Sequence, residues 1–321
     1  EETCAAIDSA CSQRDLTCHI TVLDQASHPA ALDRIARHVG ERADVTLLAS
    51  DRNLGVGGGR NHASAFGHGR MIAVLDNDAE FATHDMLARG LATLEADPTI
   101  GVLGCRIVVH ATGEDDLSSW GYPLPLLPRA GECFDTATFV GAGHMIRRAT
   151  WDAAGGYDES LFFCWEEYDF SLRAITAGWR VHYRGDLLVR HKICPERRVG
   201  WSDTRWSQHV RNRLYIGRKC GQSLAGLAPR IAGYAIKGLR NGRLGQTLSA
   251  IQAALAMPIV SPIHLPGSAR VYLHATDGAI RGTWGNRLRN EVLAAIPGER
   301  RPRITRAASV LGTARAAQLG S

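Results

Sequence analysis

The run Met71-Ile72-Ala73-Val74-Leu75, followed at once by Asp76-Asn77-Asp78, constrains this chain more than any other stretch. Five apolar residues closed by a polar turn read as a short buried strand. Such a strand needs partners along its edges and cover on its faces, and the flanking sequence carries both patterns. Residues 19–23 and 45–49 read as strands, the first ending at Asp24. Pro29–Val39 has helical spacing, with Leu32, Ile35 and Val39 on one face. Residues 83–96 read as a helix that Thr83 can cap, with Met86, Leu87, Leu91 and Leu94 along one side and Pro98 beyond its end. Residues 1–14 read as a short helix, 60–67 as a helix after a glycine-rich turn, and 102–109 as a strand. This alternation predicts an α/β fold, a parallel sheet with helices on its faces.

Downstream the pattern loosens. Residues 111–131 are rich in Gly, Pro and acids and read as a long loop of the kind that often binds ligands. Residues 138–147 read as a strand carrying Gly141 and Gly143, and glycines inside a strand often mark close approach by a ligand or another backbone. Residues 167–177 read as a helix stopped by Gly178, and 180–183 and 187–190 as short strands. Beyond Trp206 the pattern turns helical and basic. Three regions are expected: residues 1–195 as a catalytic domain, 196–296 as a basic helical region, and 297–321 as a poorly ordered tail rich in Arg and Ala.

Charge supports that division. Residues 196–321 hold 20 Lys/Arg against 5 Asp/Glu, a balance of +15, whereas residues 1–195 hold 17 against 27, a balance of −10. The basic third reads either as a solvated helical surface or as contact with anionic lipid headgroups or a phosphate-bearing acceptor. No nucleic-acid motif accompanies it, so nucleic acid is not an expected partner. No run of eighteen apolar residues occurs, so no spanning helix is expected. Glu1-Glu2 does not open a secretory signal, and none of the eight cysteines forms a CxxC pair. A cytoplasmic protein with reduced thiols, peripheral on the inner face of the membrane, is the expectation.

Three clusters carry chemistry. Residues 53–61, Asn-Leu-Gly-Val-Gly-Gly-Gly-Arg-Asn, follow a strand and open a helix, where backbone N–H groups can turn toward an anion. The stretch fits neither GxGxxG nor a P-loop, and a tight structural turn explains it equally well. Asp76 and Asp78 stand two apart, so a continuing strand points both carboxylates into one crevice, where Mg²⁺ or Mn²⁺ takes one or two carboxylates and fills its shell with diphosphate oxygens and water. Alternatively the acids form a polar turn that only ends the strand. Glu166, Glu167 and Asp169 crowd a helix N-terminus after Leu161-Phe162-Phe163. Favourable interaction with the helix dipole explains part of this, and close like charges also raise a pKa into the range of a general base. His191 ends the last strand of the region.

In order, NLGVGGGRN, LDNDAEF, FVGAGHMIRRATWDAAGGYDESLFF, EEYDFSLRAITAGWRV and LLVRH resemble the family 2 glycosyltransferases over about residues 1–215. The resemblance implies the GT-A fold, a Rossmann-like mixed sheet here with a helical basic C-terminal extension. It implies inverting transfer of a sugar from a nucleoside diphosphate sugar, of UDP or dTDP type, to a hydroxyl acceptor: a glycan, a lipid-linked glycan or a natural product, as in polysaccharide biosynthesis. It also implies Mg²⁺ or Mn²⁺ on Asp78 with Asp76 and His191, and a DxD formed by Asp76 and Asp78. Asp24 would contact the base, with Asn53, Gly55, Arg60 and Asn61 near the nucleotide. Gly141 and Gly143 would border the donor sugar. Glu167 would be the base, supported by Glu166 and Asp169. Two features depart from the family: an opening strand of the type VSVVIPTYN is missing, and the usual Glu-Asp pair is Glu166-Glu167. Two other classes compete, a nucleotidyltransferase on a similar sheet and an inactive GT-A-like binding module.

Overall fold

The computed structural model describes residues 1–192, 203–283 and 285. The expected boundary at 195 and the expected tail from 297 lie outside the described residues. The elements run α1 (Glu2–Cys11), β1 (Ile20–Gln25), α2 (Pro29–Val39), β2 (Val45–Ser50), α3 (Gly55–Ser64), β3 (Met71–Leu75), β4 (Ala79–Phe81), α4 (Met86–Ala96), β5 (Ile100–Val109), β6 (Cys133–Thr136), β7 (Gly143–Arg147), α5 (Arg148–Ala154), α6 (Glu166–Thr176), β8 (Arg180–His191), α7 (Asp203–Lys219), α8 (Leu224–Arg240), α9 (Leu244–Ala256) and α10 (Gly267–Leu273).

The strands form two sheets. β1 and β2 pair in parallel by themselves. The larger sheet is ordered β3-β7-β5-β8-β4, with β6 also on β8. Within it only β5 and β8 are parallel; the β3–β7, β7–β5, β8–β4 and β8–β6 pairs are antiparallel. The arrangement is therefore mixed, and the parallel pairing predicted from the strand–helix alternation holds for β1–β2 and β5–β8 alone. β8 runs unbroken from Arg180 to His191, where two short strands were expected. A register shift between Cys105 and Arg106 of β5 lets the stretch around Gly185 bulge without ending the strand.

Side-chain alternation places β5 between two cores. Leu103, Cys105 and Ile107 join Met86, Leu87 and Leu94 of α4 on one face. Val102 joins Ile146, Trp151, Phe170 and Val181 on the other. A third cluster mixes the two halves of the chain: Leu161 and Leu172 pack with Tyr215, Ile216 and Ile263. The helical region is thus packed onto the α/β core. Trp206, Val210, Leu214 and Leu227 form a further cluster with Ala250, Ile251 and Ala254, binding α7, α8 and α9 together.

Several boundaries moved for identifiable reasons. Helix α3 starts at Gly55, so the glycines expected in a turn lie inside its first turns. Their low helix propensity is overridden by close packing. A Cβ at Gly57 would lie 3.1 Å from Tyr157 Cβ, and one at Gly59 would lie 2.5 Å from Gln25 Nε2. Helix α4 starts at Met86, because Thr83 donates to Asp85 Oδ1 (2.5 Å) instead of capping the helix. Strand β7 starts at Gly143, which leaves Gly141 in the loop ahead of it.

Candidate active site

Strand β3 ends in a turn, closed by the Ala79 amide donating to the Asp76 carbonyl at 3.1 Å. The two acids therefore do not follow strand alternation, and their carboxylates go to different partners. Asp76 Oδ1 accepts from Arg60 Nη2 at 2.8 Å. The same guanidinium donates through Nη1 to Glu167 Oε1 at 3.0 Å and through Nη2 to the Gly141 carbonyl at 2.9 Å. Arg60 thus ties the end of β3, the loop before β7 and the start of α6 into one cluster. Burial opposes its charge, but Asp76, Tyr157, Glu167 and Glu166 together hold it firmly protonated.

Behind Arg60 lies a layer that the sequence alone does not reveal. The Tyr157 ring centroid is 5.7 Å from the guanidinium carbon. Tyr157 Oη and His144 Nε2 are 2.8 Å apart, and His144 Nδ1 is 3.2 Å from the Val140 carbonyl. Burial, reinforced by the Arg60 charge, keeps the imidazole neutral. A neutral His144 that donates from Nδ1 to Val140 accepts the Tyr157 proton at Nε2, and this fixes both side chains.

The acid pair opens α6 from a strained approach. Phe162, Cys164 and Trp165 all have positive φ, at 59°, 71° and 74°. Asn212 of α7 holds this stretch by donating to the carbonyls of Leu161, Phe163 and Cys164 at 2.8–2.9 Å. Gly55, itself at φ 76°, is required beneath it, since a Cβ there would meet Phe162 Cδ2 at 2.7 Å. Glu166 is 3% exposed, and its Oε2 is buried with no hydrogen-bond partner among the described residues. Burial and the neighbouring Glu167 push its pKa well up, so Glu166 holds its proton. Asp169 is turned away from this cluster: Arg173 and Lys219 flank it at 2.9 and 2.7 Å, and Lys219 also pairs with Asp158 at 2.7 Å. It clamps α6 to α7 instead of lining the site beside Glu167.

A second group forms around His191 at the end of β8. Its Nε2 is 3.4 Å from Asp78 Oδ1, and its Nδ1 is 2.9 Å from Asp116 Oδ2. Asp116 comes from the long loop after β5, is almost wholly buried, and accepts from the Ser118 amide (3.0 Å) and the Ser118 and Ser119 hydroxyls. These contacts outweigh burial and hold its carboxyl well below the usual range. Burial lowers the His191 pKa, but Asp116 and Asp78 together raise it to about 9. Among the described residues no three His, Cys, Asp or Glu side chains gather closely enough to hold a metal ion. Asp78 and His191 meet; Asp76, expected beside them, is held on Arg60.

The remaining expected residues sit as follows. Asp24, buried at the end of β1, accepts from the Ser27 amide at 3.0 Å. Asn53 Oδ1 accepts from the Gly55 amide, and the Val56 amide donates to the Phe162 carbonyl, so these first amides of α3 already have partners. Asn61 staples α3 to the Tyr157 backbone and to Glu159. At Gly143 the close neighbour is Val189, whose Cγ2 would lie 2.6 Å from an added Cβ, which makes it a strand-packing glycine. At Gly141 an added Cβ would collide with Glu167 Oε1.

Residues 2–152 match Glycosyl transferase family 2, a stretch that includes Arg60, Asp76 and Asp78 and stops short of Glu166, Glu167 and His191. The succinoglycan biosynthesis protein ExoO of Rhizobium meliloti (strain 1021) is 42% identical over 73 residues, 23% of this chain and 20% of that one, so the match spans about a fifth of that relative's length. Three solved structures share the fold. A mannosyltransferase from Pyrobaculum calidifontis, PcManGT, in complex with GDP-Man and Mn²⁺, has a TM-score of 0.53 at 19% identity, covering 89% of this chain and 79% of that one. GalNAc-T7 with UDP, GalNAc and Mn²⁺ scores 0.58 at 15% identity, covering 89% and 54%. S. aureus TarS 1-349 scores 0.52 at 14% identity, covering 87% and 86%. Residues 2–152 are therefore similar to the family 2 glycosyltransferases, and the chain has the fold of these solved transferases, the GT-A fold.

Proposed function

We propose that the chain is an inverting, metal-dependent glycosyltransferase that moves a sugar from a nucleoside diphosphate sugar to a hydroxyl of a glycan or lipid-linked glycan in polysaccharide assembly. The observation that carries this reading is the Arg60 bridge, which brings Glu167 beside the acid turn that follows β3. With Oε1 engaged by Arg60, Glu167 Oε2 is the atom that accepts the acceptor proton. The acceptor oxygen attacks the anomeric carbon, the bond to the diphosphate breaks, and the hydroxyl proton passes to Glu167. Inversion follows because no protein nucleophile intervenes. Glu166, kept neutral, adds no second negative charge beside the base, and Gly141 leaves the space Glu167 occupies.

One carboxylate and one imidazole, Asp78 and His191, fit a Mn²⁺ or Mg²⁺ ion that takes its other ligands from the donor diphosphate and water. Such an ion, when bound, neutralises charge on the leaving diphosphate. That PcManGT was solved with GDP-Man and Mn²⁺, and GalNAc-T7 with UDP and Mn²⁺, supports a nucleotide-sugar donor and a metal. The likeness to ExoO, a succinoglycan biosynthesis protein, supports a polysaccharide acceptor. The basic C-terminal region is assigned to peripheral contact with the inner face of the membrane, where a lipid-linked acceptor would be met.

Calorimetric titration with UDP, dTDP and GDP, with and without Mn²⁺, tests the donor site. Metal-dependent binding that Asp78→Ala abolishes is the expected result. Glu167→Gln is expected to keep donor affinity while turnover falls about 10²- to 10⁴-fold. Full turnover in Glu167→Gln would remove Glu167 as the base, and binding indifferent to both Mn²⁺ and Asp78 would remove the metal site.

A further inference from the structure

Helix α8 has two apolar faces, and among the described residues only one of them is packed. Leu227, Ile231 and Tyr234 lie against α7 and α9, and a Cβ at Gly238 would run into Thr247 of α9. On the other side Leu224, Ala228, Ala232, Ile236 and Leu239 recur at helical spacing, and all five are exposed. Leu224 and Leu239 are 65% and 64% open to solvent, and Ile236 is 44% open. Over the seventeen residues of α8 the only charged groups are Arg230, Lys237 and Arg240, with Arg243 just beyond. α9 adds exposed Leu248 and Leu255. A continuous exposed apolar stripe on a five-turn helix is unusual for a surface in water.

Charge identifies the occupant. Residues 224–243, which span α8 and the turn after it, contain Arg230, Lys237, Arg240 and Arg243 and not one Asp or Glu. A second copy of the chain docking through this stripe would bring like charges together with no acid in either segment to offset them. An anionic bilayer offers the opposite sign beside an apolar interior. Among the described residues no helix is long and apolar enough to cross a membrane, so the fitting mode is a helix lying in the headgroup plane.

We propose that the stripe Leu224, Ala228, Ala232, Ile236 and Leu239 is a membrane-docking face that seats the protein on anionic lipid, with the exposed Arg240 at its end supplying an electrostatic part. This deepens the peripheral-membrane reading above and names its surface. Because α8 packs on α7, and Asn212 of α7 holds the loop leading to Glu166 and Glu167, docking through α8 keeps the base at a fixed offset from the lipid surface.

The test is co-sedimentation of the whole chain with vesicles of phosphatidylcholine alone and of phosphatidylcholine mixed with phosphatidylglycerol, at low and high salt. No donor or acceptor is present, so failure here leaves the transfer chemistry untouched. Binding is expected only to the anionic vesicles, weakened by salt. Arg240→Gln is expected to lower it about fivefold. The double variant Ile236→Ser/Leu239→Ser is expected to lower it about tenfold or more, with an unchanged melting temperature because both side chains are exposed. Absence of anionic-vesicle binding, equal binding to neutral vesicles, or undiminished binding by the double variant would overturn the proposal. So would a concentration-dependent dimer that the double variant dissolves, which would make the stripe a contact between copies.

Discussion

Gly141 lies so close to Glu167 that a single methyl group there would displace this carboxylate, the proposed base. Gly141→Ala is therefore expected to cut kcat about 100-fold, since a shift of roughly an ångström in a reacting group costs that much. Its melting temperature should stay near that of the parent, because the loop carrying Gly141 is irregular and outside the strands. Asp116 acts one step further back. It holds His191 by Nδ1, so that Nε2 faces Asp78. In Asp116→Asn, Mn²⁺ affinity measured by calorimetry in the presence of UDP is expected to fall about 10- to 100-fold. An unchanged affinity would show that Ser119 and the β8 backbone orient the ring sufficiently. The local motifs that hold Arg60, Asp76, Asp78 and Glu167 could be read in the sequence, and the contacts that join Arg60 to Asp76 and Glu167 could not. Nor could Asp116, Tyr157 and His144, because their roles exist only once distant segments meet: Asp116 and His191 are 75 residues apart.

At the scale of elements, the joint between α6 and α7 is the part most exposed to perturbation. Lys219 is 1% exposed and sits between Asp158 and Asp169, with Arg173 completing the group. Removing the ammonium leaves buried carboxylates short of a partner, so Lys219→Met is expected to destabilise the chain by about 3 kcal/mol in denaturant titration. Its pH dependence has a definite sign. Burial lowers the Lys219 pKa but Asp169 and Asp158 raise it further, so its contribution is full below about 10.4 and lost as pH rises through the elevated folded value. Asp158 is shifted the other way: burial raises it, Lys219 and Ser160 lower it further, and its contribution is lost as pH falls below about 3.9. The parent and Lys219→Met should therefore differ most between roughly pH 4 and pH 10 and converge outside that window. Sequence periodicity placed α2, β3 and most of α6 well, because each has a clear period and a clear stop. It misplaced the start of α3, where four glycines argued for a turn and contacts with Gln25, Tyr157 and Phe162 decided for a helix. It missed β4 and β6, which are three and four residues long and exist through pairing with β8.

At the scale of the whole molecule, the two sheets are joined, among the described residues, by packing and not by a ladder. Ala6 and Ile7 of α1 are buried: Ile7 packs with Val39 and Val45 beside β1 and β2, while Ala10 of the same helix packs against the main core. The β-structure of the described residues is divided between β1 and β3. The α/β class, the order of elements and the basic helical third were readable from the chain; the antiparallel pairings of β7 were not, because hydrophobic period fixes a strand's faces and leaves its direction open. The division has a practical consequence. Each of β1 and β3 has a single strand partner among the described residues, and β3 is only half-buried along its length, with Ala73 exposed. Their second edges are rows of amide and carbonyl groups suited to capture any extended peptide. How well this polypeptide keeps in concentrated solution will depend on these two borders, where the backbone itself, whatever its side chains, can recruit a stray segment and seed precipitation.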